Sequence, residues 1–251
     1  MSNTIDLNVA GRLATVTLAR PKFRNAFDTE MLKDFEQAVH ELSRSRNIDL
    51  VVLRGQGDVF CAGTDLKELA QLNASDTLHW QRRTSELVEH WARLDAITLT
   101  VFNGPAIGSG AILGLASDLR IAADSTWFSF PELGFGIPLT WSGIPVLVRL
   151  LGPDRTQRVL LMQERLDATQ LLELQLVMQV APGEALDALA DGLAQQLLAT
   201  PSLGMRMTKR AVHAAAPPAF AACAMDPFIA AYSVLERGEQ GFAVGKTQGE
   251  P

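Results

Sequence analysis

The chain has 251 residues, 47% apolar and 20% charged, with 22 Lys and Arg against 28 Asp and Glu, a formal net charge of −6. That length supports one sizeable core, and that apolar share excludes a mainly disordered chain. No basic run marks a nucleic-acid or anionic-membrane partner, and the two cysteines, Cys61 and Cys223, form neither a disulfide framework nor a zinc pattern.

The first residues lack a basic stretch followed by an apolar core, so no signal peptide is expected. Apolar runs are broken before a membrane-spanning length, which predicts a cytoplasmic protein. Ile5, Leu7 and Val9 alternate with polar residues, Gly11-Arg12 turns, and Leu13 to Leu18 completes a hairpin that Arg20-Pro21 stops. Asp28 and Thr29 can cap a helix over about 30–43, where Met31, Leu32, Phe35, Val39 and Leu42 recur at helical spacing. Leu50 to Leu53 reads as a buried strand, 76–94 as an amphipathic helix and 98–102 as a strand. Ala111 to Ala116 reads as a short apolar helix, 119–123 as a strand, and Phe128 to Glu132 as an extended piece. From about 142 the pattern is mostly helical, with a strand near 177–180 and helices over 202–215 and 225–237 beyond Pro201. The order predicts a layered α/β domain with a helical appendage too short to stand alone. Met205, Met207, Phe220, Met225, Phe228, Ile229 and Tyr232 must then be covered by the same chain or a neighbouring subunit.

Two glycine-rich loops follow predicted strands: Phe60-Cys61-Ala62-Gly63-Thr64-Asp65, and Asn103 to Gly110. Without side chains in the way, such loops let a ligand approach the backbone. A helix beginning near Ser109 offers free N–H groups, and Thr64 can supply another; two N–H groups converging on one carbonyl oxygen make an oxyanion hole. Taken singly, each loop reads better as a mere tight turn.

Together the loops resemble those of a family. Arg20-Pro21-Lys22-Phe23-Arg24-Asn25-Ala26-Phe27 resembles the R-P-x-x-R-N-A-L stretch of the crotonase superfamily, the enoyl-CoA hydratase/isomerase family. Phe60 to Leu66 resembles its F-x-A-G-x-D-L motif, and Asn103 to Gly110 its N-G-x-A-x-G-G-G loop. Ser117 to Asp124 and Phe128 to Glu132 resemble the segments that follow. The resemblance implies a crotonase-like spiral of ββα units over residues 1–200 and a helical trimerisation region over 201–251. Homotrimers, or hexamers built as dimers of trimers, are implied too. The implied substrate is an acyl-CoA thioester, with coenzyme A as part of the substrate and no separate cofactor or metal. Its carbonyl oxygen would lie between the backbone N–H groups of Thr64 and Ser109, with Ala62, Gly63, Gly108 and Gly110 shaping the approach. Ser109 replaces the usual Gly and adds a hydroxyl.

Hydration in this family uses two carboxylates. One position is occupied here by Ile112, which transfers no proton; the other is Glu132. Glu132 follows a Phe-rich run that would desolvate it and raise its pKa toward that of a useful base. One base suffices to move a proton from C2 to C4 of a 3-enoyl thioester, so Ile112 with Glu132 favours an isomerase over an efficient hydratase. Pro138, Thr140 and Trp141 stand where many relatives carry P-G-x-G-G, and Trp141 either walls a short-chain pocket or belongs to the core. His79, Glu86, Glu89 and His90 read as a solvated helix face, Asp65 as a loop tie, and Asp118 and Asp124 as strand-end structure. The family's basic groups for the nucleotide phosphates would correspond to Lys22, Arg24 and Lys67, with Lys246 of the tail a further candidate. Two other readings remain: another enolate-forming or acyl-transfer reaction, such as decarboxylation or thioester hydrolysis, and an acyl-CoA-binding protein with little catalysis.

Overall fold

A computed structural model describes residues 4–216 together with 219 and 220. A six-stranded sheet forms its spine. It comprises β1 (Ile5–Ala10), β2 (Leu13–Leu18), β3 (Leu50–Gly55), β4 (Ile97–Phe102), β6 (Leu119–Ala123) and β9 (Gln179–Ala181), in the order β1-β2-β3-β4-β6-β9. The β1–β2 hairpin is antiparallel, and every later pairing in this sheet is parallel. A smaller sheet has the order β5 (Ala106–Ile107), β7 (Trp127–Ser129), β8 (Leu166–Asp167). The strand near 177–180 lies at β9, whereas β8 carries no alternation long enough to announce itself.

The continuous apolar runs are explained by two cores. In β3, Val51 and Leu53 face the larger cluster with Phe27, Phe35, Phe60 and Trp91, while Leu50 and Val52 face a second cluster across the sheet. A parallel strand covered on both faces needs no polar alternation. Helix α1 (Thr29–Arg44) begins where Asp28 accepts the Met31 N–H at 2.8 Å, and it buries Met31, Leu32, Phe35, Val39 and Leu42. The short α2 (Leu66–Leu69) precedes α3 (Ala74–Ala92), which turns Trp80, Leu87, Val88 and Trp91 inward.

After α4 (Ser109–Leu115), the helices α5 (Gly143–Leu151), α6 (Pro153–Leu161) and α7 (Ala168–Glu173) pack around the smaller sheet's end of the molecule. On the sheet's other face, α8 (Leu186–Ala199) and α9 (Ser202–Ala215) close the second cluster with Leu186, Ala190, Ala194 and Met205. Polar ties reinforce that closure. Arg206 pairs with Asp49 at 2.8 Å, and Lys209 Nζ lies 2.7 Å from Asp118. Burial would raise the Asp49 pKa, but hydrogen bonds from Ser202, Arg206 and Arg12 hold it down to about 2.

The first tail helix therefore rests on its own chain. Met205 is buried in the second cluster and Phe220 in the larger one, whereas Met207 is exposed. Met225, Phe228, Ile229, Tyr232, Lys246 and the helix expected over 225–237 lie outside the described residues. No described helix is long and apolar enough to cross a membrane.

Candidate active site

The two glycine-rich loops are stitched together by backbone pairing. Phe27 N–H donates to Gly63 O at 2.7 Å and Asp65 N–H to Phe27 O at 2.8 Å, which pins the chain on both sides of Thr64. In this parallel bridge the Thr64 N–H points away from Phe27. Ile107 N–H then donates to Cys61 O at 2.9 Å, joining the first loop to β5. Gly108 N–H donates to Ser129 O at 2.8 Å, joining the second loop to β7. Thr64 Oγ1 and Ser109 Oγ come within 3.3 Å of each other.

Asn25 holds the first loop from below. It is fully buried, and its side-chain amide donates to the carbonyls of Gln56, Val59 and Phe60 at 2.8–3.1 Å. Arg20 pairs with Asp28 at 2.8 Å and with Asp65 at 3.0 Å. Asp65 also accepts the Lys67 N–H at 3.1 Å, so it ties its loop down. The roles of Asn25 and Arg20 were not separable in the sequence, because their acceptors lie far along the chain or on the backbone.

Gly108, Gly63 and Gly110 are demanded by close approach. Gly108 has φ +52° and ψ −124°, and a Cβ there would lie 2.1 Å from Glu132 Oε1. At Gly63 (φ +85°) a Cβ would meet Ile107 O at 2.8 Å, and at Gly110 one would meet Cys61 O at 2.6 Å. Position 108 thus places the Glu132 carboxylate directly against the start of α4.

Glu132 opens a 3₁₀ turn (Glu132–Phe135) three residues beyond β7. The residue is half-buried overall, but carboxylate Oε2 is buried and has no hydrogen-bond partner. Burial pushes the carboxyl up from 4.5 to about 7, against its own backbone N–H and that of Ser109, which both favour the charged form. Cys61, in the adjoining loop, is fully buried, and burial pushes its thiol up to about 12. A neutral thiol of that kind is no nucleophile at pH 7.

Ile112 is fully buried on α4, and a side chain at Gly143 would begin 2.9 Å from its Cγ1. The position is apolar and tightly packed. Beside Glu132 runs an apolar groove of about 430 Å³ between α5 and α6, lined by Phe130, Leu133, Leu139, Ile144, Val148 and Leu161, among others. Sequence reasoning missed it. The i, i+4 pair Ile144 and Val148 on α5 was the available signal.

Trp141 does not line that groove. It is fully buried, with its ring 5.1 Å from Phe27 and 5.8 Å from Trp80. Trp141 and Ser142 adopt φ +59° and +53°, a left-handed pair where the resembled loop has glycines. Such residues cost about 1–2 kcal/mol each. Lys22, Arg24 and Lys67 are exposed, and the Arg24 carbonyl accepts the Ala62 N–H at 2.9 Å, so the basic stretch abuts the first loop. Glu86 and His90 line a separate cavity between α1 and α3, while His79 is exposed. Among the described residues, no group of three or more His, Cys, Asp or Glu is placed to hold a metal ion.

Two glycine-rich loops, stitched together by backbone hydrogen bonds, thus meet one desolvated carboxyl at the start of α4. The enoyl-CoA hydratase/isomerase family model matches residues 9–249, and the chain belongs to that family. An enoyl-CoA isomerase/hydratase of Mycosarcoma maydis is 32% identical over 206 residues, covering 78% of this chain and 75% of the relative. The crystal structure of an enoyl-CoA hydratase from Bacillus anthracis superposes with a TM-score of 0.82 at 25% identity, covering 94% of this chain and 92% of that one. A Thermobifida fusca protein solved in complex with acetoacetyl-CoA gives a TM-score of 0.79 at 27% identity, covering 94% and 96%. The fold is thus the crotonase-like α/β spiral.

Proposed function

We propose that this acyl-CoA enzyme is a double-bond isomerase that converts a 3-enoyl-CoA into a 2-enoyl-CoA. The observation that carries the reading is the pairing of one desolvated carboxyl, Glu132, with a tightly packed Ile112 at the other family carboxylate position. The thioester oxygen lies between the N–H groups of Thr64 and Ser109. Glu132 removes a proton from C2, the dienolate charge rests on the thioester oxygen, and the same carboxylic acid returns the proton to C4. No second acid–base group is needed, and no water has to be activated.

Substrate binding sharpens the base. In the free protein the Ser109 N–H helps hold the Glu132 carboxyl down. A thioester oxygen taking that N–H removes a bond to the charged form, so the proton affinity of Glu132 rises in the complex. The acyl chain runs into the groove between α5 and α6. Lys22, Arg24 and Lys67 meet the nucleotide phosphates, and assembly into trimers through residues 201–251 belongs to the same proposal.

The test offers purified protein 3-hexenoyl-CoA, crotonyl-CoA and a malonyl-type CoA separately and follows the products, then repeats each with Glu132→Ala. Isomerisation of the first, lost in the variant, supports the reading. Hydration of crotonyl-CoA at the faster rate, decarboxylation or hydrolysis would overturn it, as would tight binding with no turnover.

A further inference from the structure

A second cleft, of about 570 Å³, lies between α9, the start of β6 and the last turn of α5, and none of the proposed catalytic residues lines it. Its charged lining is Asp118, Arg120, Arg149, Lys209 and His213. Most of these groups are already engaged. Arg120 donates to Leu176 O and Ser117 O, both at 2.6 Å. Lys209 Nζ lies 2.7 Å from Asp118 and donates to Ala96 O at 2.9 Å. Asp118 further accepts the Thr98 N–H at 2.8 Å and lies 3.3 Å from His213 Nε2.

Arg149 is the exception. Its Nε is buried without a partner, and no hydrogen bond or ion pair engages its guanidinium among the described residues. An unmade bond to a buried charged donor is costly, and three cationic side chains around one carboxylate leave the cleft positive. The imbalance is felt by the neighbours. Burial, and then the Arg149 charge, push Arg120 down to about 10; burial lowers Lys209 too, and Arg149 adds to that.

We propose that this cleft is an oxyanion-binding site in which Arg149 receives a carboxylate or phosphate group through a guanidinium that no described residue engages, with Arg120 and Lys209 supplying the surrounding positive field. A planar guanidinium matches either group with two parallel hydrogen bonds. The buried apolar walls, Ile97 and Met205, lower the local dielectric and strengthen the pairing. The oxyanion comes either from a free small anion or from an Asp or Glu side chain of a second copy of this net-negative chain.

The full-length protein and the Arg149→Met variant, which keeps the aliphatic stem, are melted with inorganic phosphate or citrate at constant ionic strength. Light scattering gives the mass of each. For a free anion, the wild-type Tm rises by about 3–6 °C at ten times Kd and the variant shows no rise. For a carboxylate from a second copy, free anions act weakly, and the variant's subunit dissociation constant rises at least tenfold. An anion effect that persists in the variant overturns the assignment, and so does a wild type indifferent to anions with a variant of unchanged mass. Should Arg149→Met fail to fold, Arg149→Lys keeps the charge without the two-pronged donor, and the same readouts then shrink rather than vanish.

Discussion

Replacing Gly108 by alanine tests the catalytic geometry most directly. The new Cβ would begin 2.1 Å from Glu132 Oε1, closer than real Cβ contacts allow, so the carboxyl must retreat by about 1 Å. A displacement of that size at a reacting group costs about 10²-fold in rate, equivalent to about 2.7 kcal/mol of transition-state stabilisation. The backbone adds its own strain of about 1–3 kcal/mol, because φ +52° with ψ −124° suits only glycine. Gly152→Ala separates the two effects, since Gly152 has φ +75° but open space around its Cβ position. Both variants should lose comparable thermal stability in calorimetry. Steady-state isomerisation of 3-hexenoyl-CoA should fall about 10²-fold in kcat for Gly108→Ala alone. A Gly108→Ala enzyme within about threefold of wild-type kcat, folded and saturable, would refute the placement of Glu132 against the oxyanion loop.

Further outcomes follow from the buried charges. With the Glu132 carboxyl at about 7, kcat/KM should rise about tenfold per pH unit below 7 and then level off. The corresponding limb in kcat should sit at higher pH, because the bound thioester takes the Ser109 N–H; a kcat limb at or below that of kcat/KM would count against the exchange. The same carboxyl binds its proton more tightly folded than unfolded, so stability falls as pH rises from 4.5 to about 7, by about 3 kcal/mol in all. Glu132→Gln should therefore gain on wild type across that window in denaturant titrations at pH 4.5 and 8, and parallel behaviour would show the carboxyl to be solvated. Asp118→Asn leaves Lys209 buried without its counter-charge and should cost about 3–5 kcal/mol, with Lys209→Met restoring part of it in the double variant. Ile112→Glu should cost at least about 3 kcal/mol by chemical denaturation, since the position is fully buried and packed against Gly143.

Much of the spine was legible because its signals are local. The β1–β2 hairpin, the Asp28 cap of α1 and the apolar runs of β3 and β4 depend on a few neighbouring residues. The expected strand near 177–180 coincides with β9 to within two residues. What stayed hidden depends on partners distant in sequence. The two residues of β8 form a strand only because β7 pairs with them. Glu132 stood out through the family pattern, but its contact with Gly108 comes from the pairing of β5 and β7. Trp141 could be a pocket wall or core from sequence; the rings of Phe27 and Trp80 beside it are what place it in the core. Asp118 read as a strand-end residue, and nothing local in sequence links it to Lys209, 91 positions later.

The strip of backbone pairing that runs from Phe27 through the first loop to β5 and β7 has a consequence for how this site can change. The atoms proposed to meet the developing negative charge are amide groups that every residue except proline carries. Substitution at Thr64 or Ser109 alters the furniture around the charge without removing its support. Position 132 and the packed position 112 are different, because there the side chain itself decides whether a proton can be carried. Under the proposed mechanism, charge stabilisation therefore rests on backbone that most point changes leave in place, while proton traffic rests on single side chains.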